Sequence, residues 1–166
     1  MKQAIAGVVS RESAEVPVTT VWPSIAAYPS GRFLGRMYHW QTGCYIFRIG
    51  NLIALASIPH ALALYAYRIL PYVGMRYTLT NRRVVVQRGL MAVDDKSVNL
   101  DRFDRIDVQV QPGQEWFKSG DLIFYHGNTE TFRIEGVSRP EGFRQICMKS
   151  HEAFVGLSEI LGRQAS

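Results

Sequence analysis

Between Val16 and Val93 the chain has no aspartate and no glutamate, yet it carries eight arginines. A surface that keeps itself soluble normally mixes both signs, so a run of this kind fits a segment held against anionic lipid headgroups. Cysteine is scarce too. Cys44 and Cys147 are too few for a disulfide scaffold, and no zinc-ligand spacing surrounds them. With 47% hydrophobic and 20% charged residues the chain is neither disordered nor collagen-like. Its mean hydropathy near zero argues against a polytopic membrane protein but leaves room for one apolar span. The length of 166 residues suits one domain with one additional segment.

The net charge of +5 sits wholly in the first 76 residues, which hold seven basic and two acidic side chains; residues 77–166 hold twelve of each. Charge alone fits nucleic acid as well as lipid. The apolar segment inside the basic stretch separates the two, and no nucleic-acid partner is expected. Arg48 and Arg68 bracket nineteen uncharged residues, Ile49 to Tyr67. As a helix these span about 28 Å, close to the ~30 Å hydrocarbon core of a bilayer. Trp40, Tyr45, Tyr65, Tyr67 and Tyr72 lie where interfacial aromatics belong, and the arginines can snorkel outward. Asn51, Pro59 and His60 are costly or disruptive in lipid. One crossing kinked at Pro59 is the expectation; a re-entrant hairpin broken at Ser57-Ile58-Pro59 and a buried helix of a soluble core are the alternatives.

Upstream, Phe33, Met37, Trp40, Cys44 and Phe47 recur at spacings of three and four, which puts them on one helical face. The pattern fits an amphipathic helix in the membrane interface or the first half of one longer helix. Residues 1–20 do not make a signal peptide, because Arg11, Glu12 and Glu15 break the apolar run. The excess of arginine after the crossing favours a C-terminal domain on the cytoplasmic side of the membrane. The expected divisions are a tail over 1–31, an interfacial and transmembrane helical segment over 32–72, and a domain over 73–166.

After Gly74 the pattern changes to alternation. Strands are expected at Arg76–Thr80, Arg83–Gln87, Ser97–Leu100, Ile106–Val110, Leu122–Tyr125 and Thr131–Ile134. A seventh is expected from Ala92-Val93 or from Thr19 to Trp22. Ser138-Arg139-Pro140-Glu141 has the form of a capping box opening a final helix. Phe143, Ile146, Cys147, Phe154, Leu157 and Leu161 line one face of that helix.

Tyr77-Thr78-Leu79-Thr80-Asn81-Arg82, followed by Gly89, resembles the opening of bacterial pleckstrin-homology-like, membrane-flanking domains. Leu100, Ile106, Val108, Val110 and then Gly120-Asp121-Leu122-Ile123 are similar to the later rhythm of that family. The resemblance covers about residues 73–160. It implies an α+β fold: a membrane helix followed by a PH-like β-barrel of two bent antiparallel sheets, capped by a C-terminal helix. Such a domain binds and assembles rather than catalyses. The loop Gln111–Ser119 departs from the family pattern, with Glu115, Trp116 and Phe117 in place of a basic segment.

No arrangement of side chains suggests catalysis, and no cofactor or metal is called for. His39, His60, His126 and His151 are scattered. Asp101, Asp104 and Asp107 recur every three residues, but Arg102 and Arg105 between them suit a solvated, ion-paired edge. Arg76, Arg82, Arg83 and Arg88 are the candidate lipid-headgroup residues, since guanidinium groups suit phosphate. Asn51, His60, Trp116 and Phe117 are the candidate partner contacts. The expected role is a non-catalytic, membrane-anchored accessory protein that holds an assembly of integral membrane proteins and contacts membrane lipids. An anionic-lipid-sensing module is the alternative.

Overall fold

The computed structural model describes residues 15–39, 49–69, 74–89 and 91–164. Two antiparallel sheets carry the fold. The first runs in the order β1 (Pro17–Val21), β2 (Met75–Thr80), β3 (Arg83–Arg88), β4 (Val93–Asn99). The second runs β5 (Arg105–Gln109), β6 (Ser119–His126), β7 (Thr129–Ser138). Alternation explains them. Tyr77 and Leu79 pair with Val86 and Val84 and point inward, where Leu122, Phe124 and Ile134 of the other sheet meet them. Phe103 stands edge-on to Phe124 with centroids 5.0 Å apart. Helix α4 (Pro140–Gln164) closes this core with Phe143 and Cys147.

All six expected strands are present with shifted ends; of the two options for the seventh, Thr19–Val21 lies in β1, whereas Val93 begins β4. Between the named strands of the two sheets no ladder closes the barrel among the described residues; an isolated bridge, Pro23 to Val137, links them near β1 and β7. Glu141 does not complete a capping box. Its carboxylate accepts from Arg144 Nε at 2.9 Å, and the residue before Pro140 is Arg139, with a left-handed backbone.

Strand β1 changes the expected plan of the chain. Thr19, Thr20 and Val21 pair with Leu79, Thr78 and Tyr77, so part of the expected tail is an edge of the domain's own sheet. The helical segment does not precede the domain; it is inserted between β1 and β2. A single crossing is excluded by that pairing, because one passage through a bilayer would put β1 and β2 on opposite sides. The helix is also broken. Helices α2 (Ile49–Ala56) and α3 (Ile58–Ile69) meet at an angle of 54° at Ser57. Pro59 disfavours helical backbone in the residue before it. Their lengths are about 12 and 18 Å against a core of ~30 Å, and among the described residues no single helix is long and apolar enough to cross.

Helix α1 (Pro29–Tyr38) has proline in its first turn, and the face it packs on the domain is not the one that carries Phe33. Gly31, Leu34, Gly35 and Tyr38 are buried, while Phe33 points out, 59% exposed. Small residues let the helix backbone come close to the domain, and that outweighs the side-chain area Phe33 would bury. Trp40, Cys44 and Phe47, together with Tyr45, Arg48, Tyr72 and residues 1–14, lie outside the described residues.

Candidate functional site

The strands define two ends of the domain. At the first, the chain leaves β1 for the inserted helices, returns to β2, turns from β3 to β4 and passes through the loop between β5 and β6. The second holds the β2–β3, β4–β5 and β6–β7 connections.

At the first end the insertion is fixed from its root. Ser24 N–H donates to the Gly136 carbonyl at 2.7 Å, and the 3-10 turn Ile25–Ala27 lies against β7. Gly136 has φ of +60°, and a Cβ there would stand 2.5 Å from Ala27 Cα, so only glycine fits. Helix α1 then docks on the β5–β6 loop. Arg32 donates to Gln111 Oε1 at 2.6 Å, and Arg36 Nε to the Pro112 carbonyl at 3.2 Å. Gln111 continues inward to Asp121, a fully buried carboxylate that also accepts from Gln114 Nε2 at 2.6 Å and Gly136 N–H at 2.9 Å. One buried acid thus ties the helix, the loop and β7 together.

Tyr38 connects this support to the apolar helices. Its ring packs edge-on against Trp116 at 5.5 Å and Phe117 at 6.2 Å, and its hydroxyl shares a hydrogen bond with Ser57 at the break between α2 and α3. Ten residues away on each helix, Tyr28 meets Tyr67 at 6.1 Å. Two contacts about 15 Å apart along both helices make α3 run back along α1. It lies across the end of the domain instead of projecting from it, with Ile58, Leu62 and Tyr65 exposed.

Exposed large apolar side chains gather here. Trp22, Phe33, Met91, Val93, Val110 and Trp116 all belong to this end, with Met91 88% exposed, and Ile49, Leu52 and Leu55 of α2 add to them. Elsewhere among the described residues the large exposed hydrophobics are Val18, Ile146 and Ile160. The connections at the opposite end expose polar residues: Asp101, Arg102, Asp104, His126 and Asn128.

The expected headgroup arginines do not form one cluster. Arg76 and Arg88 lie at the apolar end, Arg76 with its guanidinium 5.9 Å from the Trp22 ring and Arg88 paired with Asp95 at 3.2 Å. Arg82 and Arg83 lie at the β2–β3 turn, about 17 Å along the strand from Arg88. Arg83 is held by Glu15 at 2.8 Å and Asp94 at 3.0 Å. Its hydrogen bond keeps the Glu15 carboxyl below the usual carboxylate range, and the guanidinium is held charged in return. Of the expected partner contacts, Trp116 and Phe117 pack on Tyr38, with Trp116 half exposed. Asn51 and His60 are exposed on α2 and α3. The Asp121 network was not foreseen; the Gly120-Asp121 pair was its only trace in the sequence.

The family profile described as Bacterial PH domain matches residues 24–147, inserted helices included. No curated protein and no solved structure matches the chain.

Proposed function

The chain belongs to the bacterial PH domain family, and from that premise we propose that it is a non-catalytic, membrane-anchored interaction module seated on the bilayer by its apolar end. The observation that carries the reading is the continuity of the exposed apolar rim with α2 and α3. Exposure of so many large apolar groups at one end of a small domain marks a surface made for another apolar phase. Helices shorter than the hydrocarbon core, laid along the domain and free of charge from Ile49 to Tyr67, suit insertion parallel to the membrane plane. The eight arginines and absence of acids from Val16 to Val93 favour an anionic leaflet, here the cytoplasmic one.

Anchorage by this end leaves the polar end facing water and available to a partner. The alternative, recognition of one headgroup by Arg76, Arg82, Arg83 and Arg88, draws less support, because the four are divided between two ends and Arg83 and Arg88 are ion-paired.

Membrane fractionation of the full chain tests the proposal, together with single-cysteine labelling at Val18→Cys and His126→Cys in sealed inverted vesicles. Retention in the membrane after a salt wash, with both positions labelled from the cytoplasmic side, is expected. A monodisperse chain recovered without detergent overturns the anchorage. Labelling of the two positions from opposite sides overturns the in-plane arrangement.

A further inference from the structure

The end of the domain away from the apolar surface holds a groove of about 430 Å³, lined by Ser97, Val98, Asn99, Arg102, His126 and Thr131. One wall is the open edge of β4. Leu100 N–H donates to the Arg82 carbonyl, so 82 and 100 are a hydrogen-bonded pair. Val84 and Val98, two residues further along the antiparallel register, are then hydrogen-bonded as well. Ser97 and Asn99 alternate with them, and their main-chain N–H and C=O groups point away from β3 towards the groove. A row of outward main-chain groups on an edge strand is a template for one more strand.

The groove's charge selects what that strand carries. Its lining has one arginine, one histidine and no carboxylate. Among the described residues Arg102 makes no hydrogen bond or ion pair. Of the nearby acids, Asp104 accepts from Gly127 N–H at 2.7 Å and Glu130 from Arg133 at 2.9 Å, while Asp101 is exposed and is not part of the groove lining. Thr131 spends its hydroxyl proton on the Phe124 carbonyl.

We propose that this groove takes an extended acidic segment of a partner protein, which pairs its main chain with Ser97 and Asn99 and sets a carboxylate against Arg102 and His126. Guanidinium and carboxylate match in shape as well as charge. This names the partner chemistry of an interaction module but does not rest on the membrane reading, since the two surfaces lie at opposite ends of the strands.

The test uses the full chain in mild detergent and three probes: a capped peptide of alternating valine and glutamate, six residues long; its valine–lysine counterpart; and inorganic phosphate. Amide exchange followed by NMR is expected to slow at least tenfold at Ser97 and Asn99 with the acidic peptide alone. Arg102→Glu is expected to weaken that peptide tenfold or more and to favour the lysine one. No protection at either amide overturns the proposal, as does an equal response to both peptides. Saturation by phosphate with no peptide-dependent protection would make the groove a small-anion site and overturn the strand pairing. Because the wild-type exchange experiment decides by itself, failure of the charge-reversed variant to fold would not rescue the idea. Loss of membrane retention would leave the groove result unaffected, so the two proposals fail separately.

Discussion

Gly35 of α1 and Gly113 of the β5–β6 loop touch backbone to backbone. A Cβ on Gly35 would lie 2.0 Å from the Gly113 carbonyl oxygen, and one on Gly113 would lie 2.0 Å from that of Arg32. Neither neighbour is the movable end of a side chain, so the helix would have to lift. On helix propensity alone, Gly35→Ala should stabilise α1 by about 1 kcal/mol. The contact reverses the sign: a loss of about 2 kcal/mol or more is expected, in the range of overpacked cores. Chemical unfolding of the two proteins measures it. An unchanged or raised midpoint would mean that α1 is not docked on this loop.

The second prediction concerns Asp121, whose carboxylate accepts from Gln111, Gln114 and Gly136 N–H. Asp121→Ala leaves two buried donors and the half-buried Gln111 amide without an acceptor, and a loss of about 3–5 kcal/mol is expected. Asp121→Asn is informative in a different way. Its oxygen can still serve Gln114 and Gly136, but its amide would face the Gln111 amide. Turning Gln111 over relieves that clash only by removing the acceptor for Arg32. An intermediate loss is therefore expected, with faster proteolysis in α1. Equal stability of Asp121→Asn and wild type would show that the acid is not needed as a triple acceptor.

What could be read from the sequence follows from where the deciding contacts lie. Strands β2, β3, β6 and β7 declare themselves by local alternation, and the apolar segment by its composition. Strand β1 is an edge of five residues whose partner is remote: Thr20 faces Thr78, 58 positions away. Local pattern marks Thr19 to Trp22 as a candidate strand but does not say which strand it joins. The inward face of α1 carries little hydrophobic signal for a related reason: Gly31 and Gly35 contribute proximity there, whereas the periodicity picks out Phe33 on the exposed face. The arginines read as a cluster because they are close in sequence, but a strand carries Arg83 and Arg88 to opposite ends. Asp121 looks like any surface acid until the fold assembles its three donors.

A third prediction uses pH. Burial pushes the Cys147 thiol up to about 12, against roughly 8.5 in an unfolded chain. Below the unfolded value both states are protonated and the group has no effect. As pH rises past it, the unfolded chain loses this proton first, so stability falls through the window between about 9 and 12. The limiting slope is about 1.4 kcal/mol per pH unit for one proton. Unfolding at pH 8 and pH 10 should show a steeper loss in wild type than in Cys147→Val, and no iodoacetamide label on the Cys147 peptide of the native protein at pH 8. Rapid native labelling, or identical slopes, would contradict the packed position of Cys147 on the inward face of α4.

The last prediction separates the two ends of the domain directly. Trp22 and Trp116 both lie at the apolar end and are about half exposed, whereas among the described residues the far end has no tryptophan. If the rim enters the headgroup region, lipids brominated near the carbonyl end of their chains should quench Trp22 and Trp116 in variants that keep one tryptophan at a time. A tryptophan placed at the far end by His126→Trp should keep its full emission. Replacing Met91 and Val93 by aspartate adds charge where the rim is most exposed; since neither side chain belongs to the core, the fold should survive while Trp22 quenching falls. Rim residues that merely happened to be exposed would give equal emission at both ends. Quenching confined to the His126→Trp variant would mean that the domain faces the membrane the other way up, with the β4 groove against the lipid.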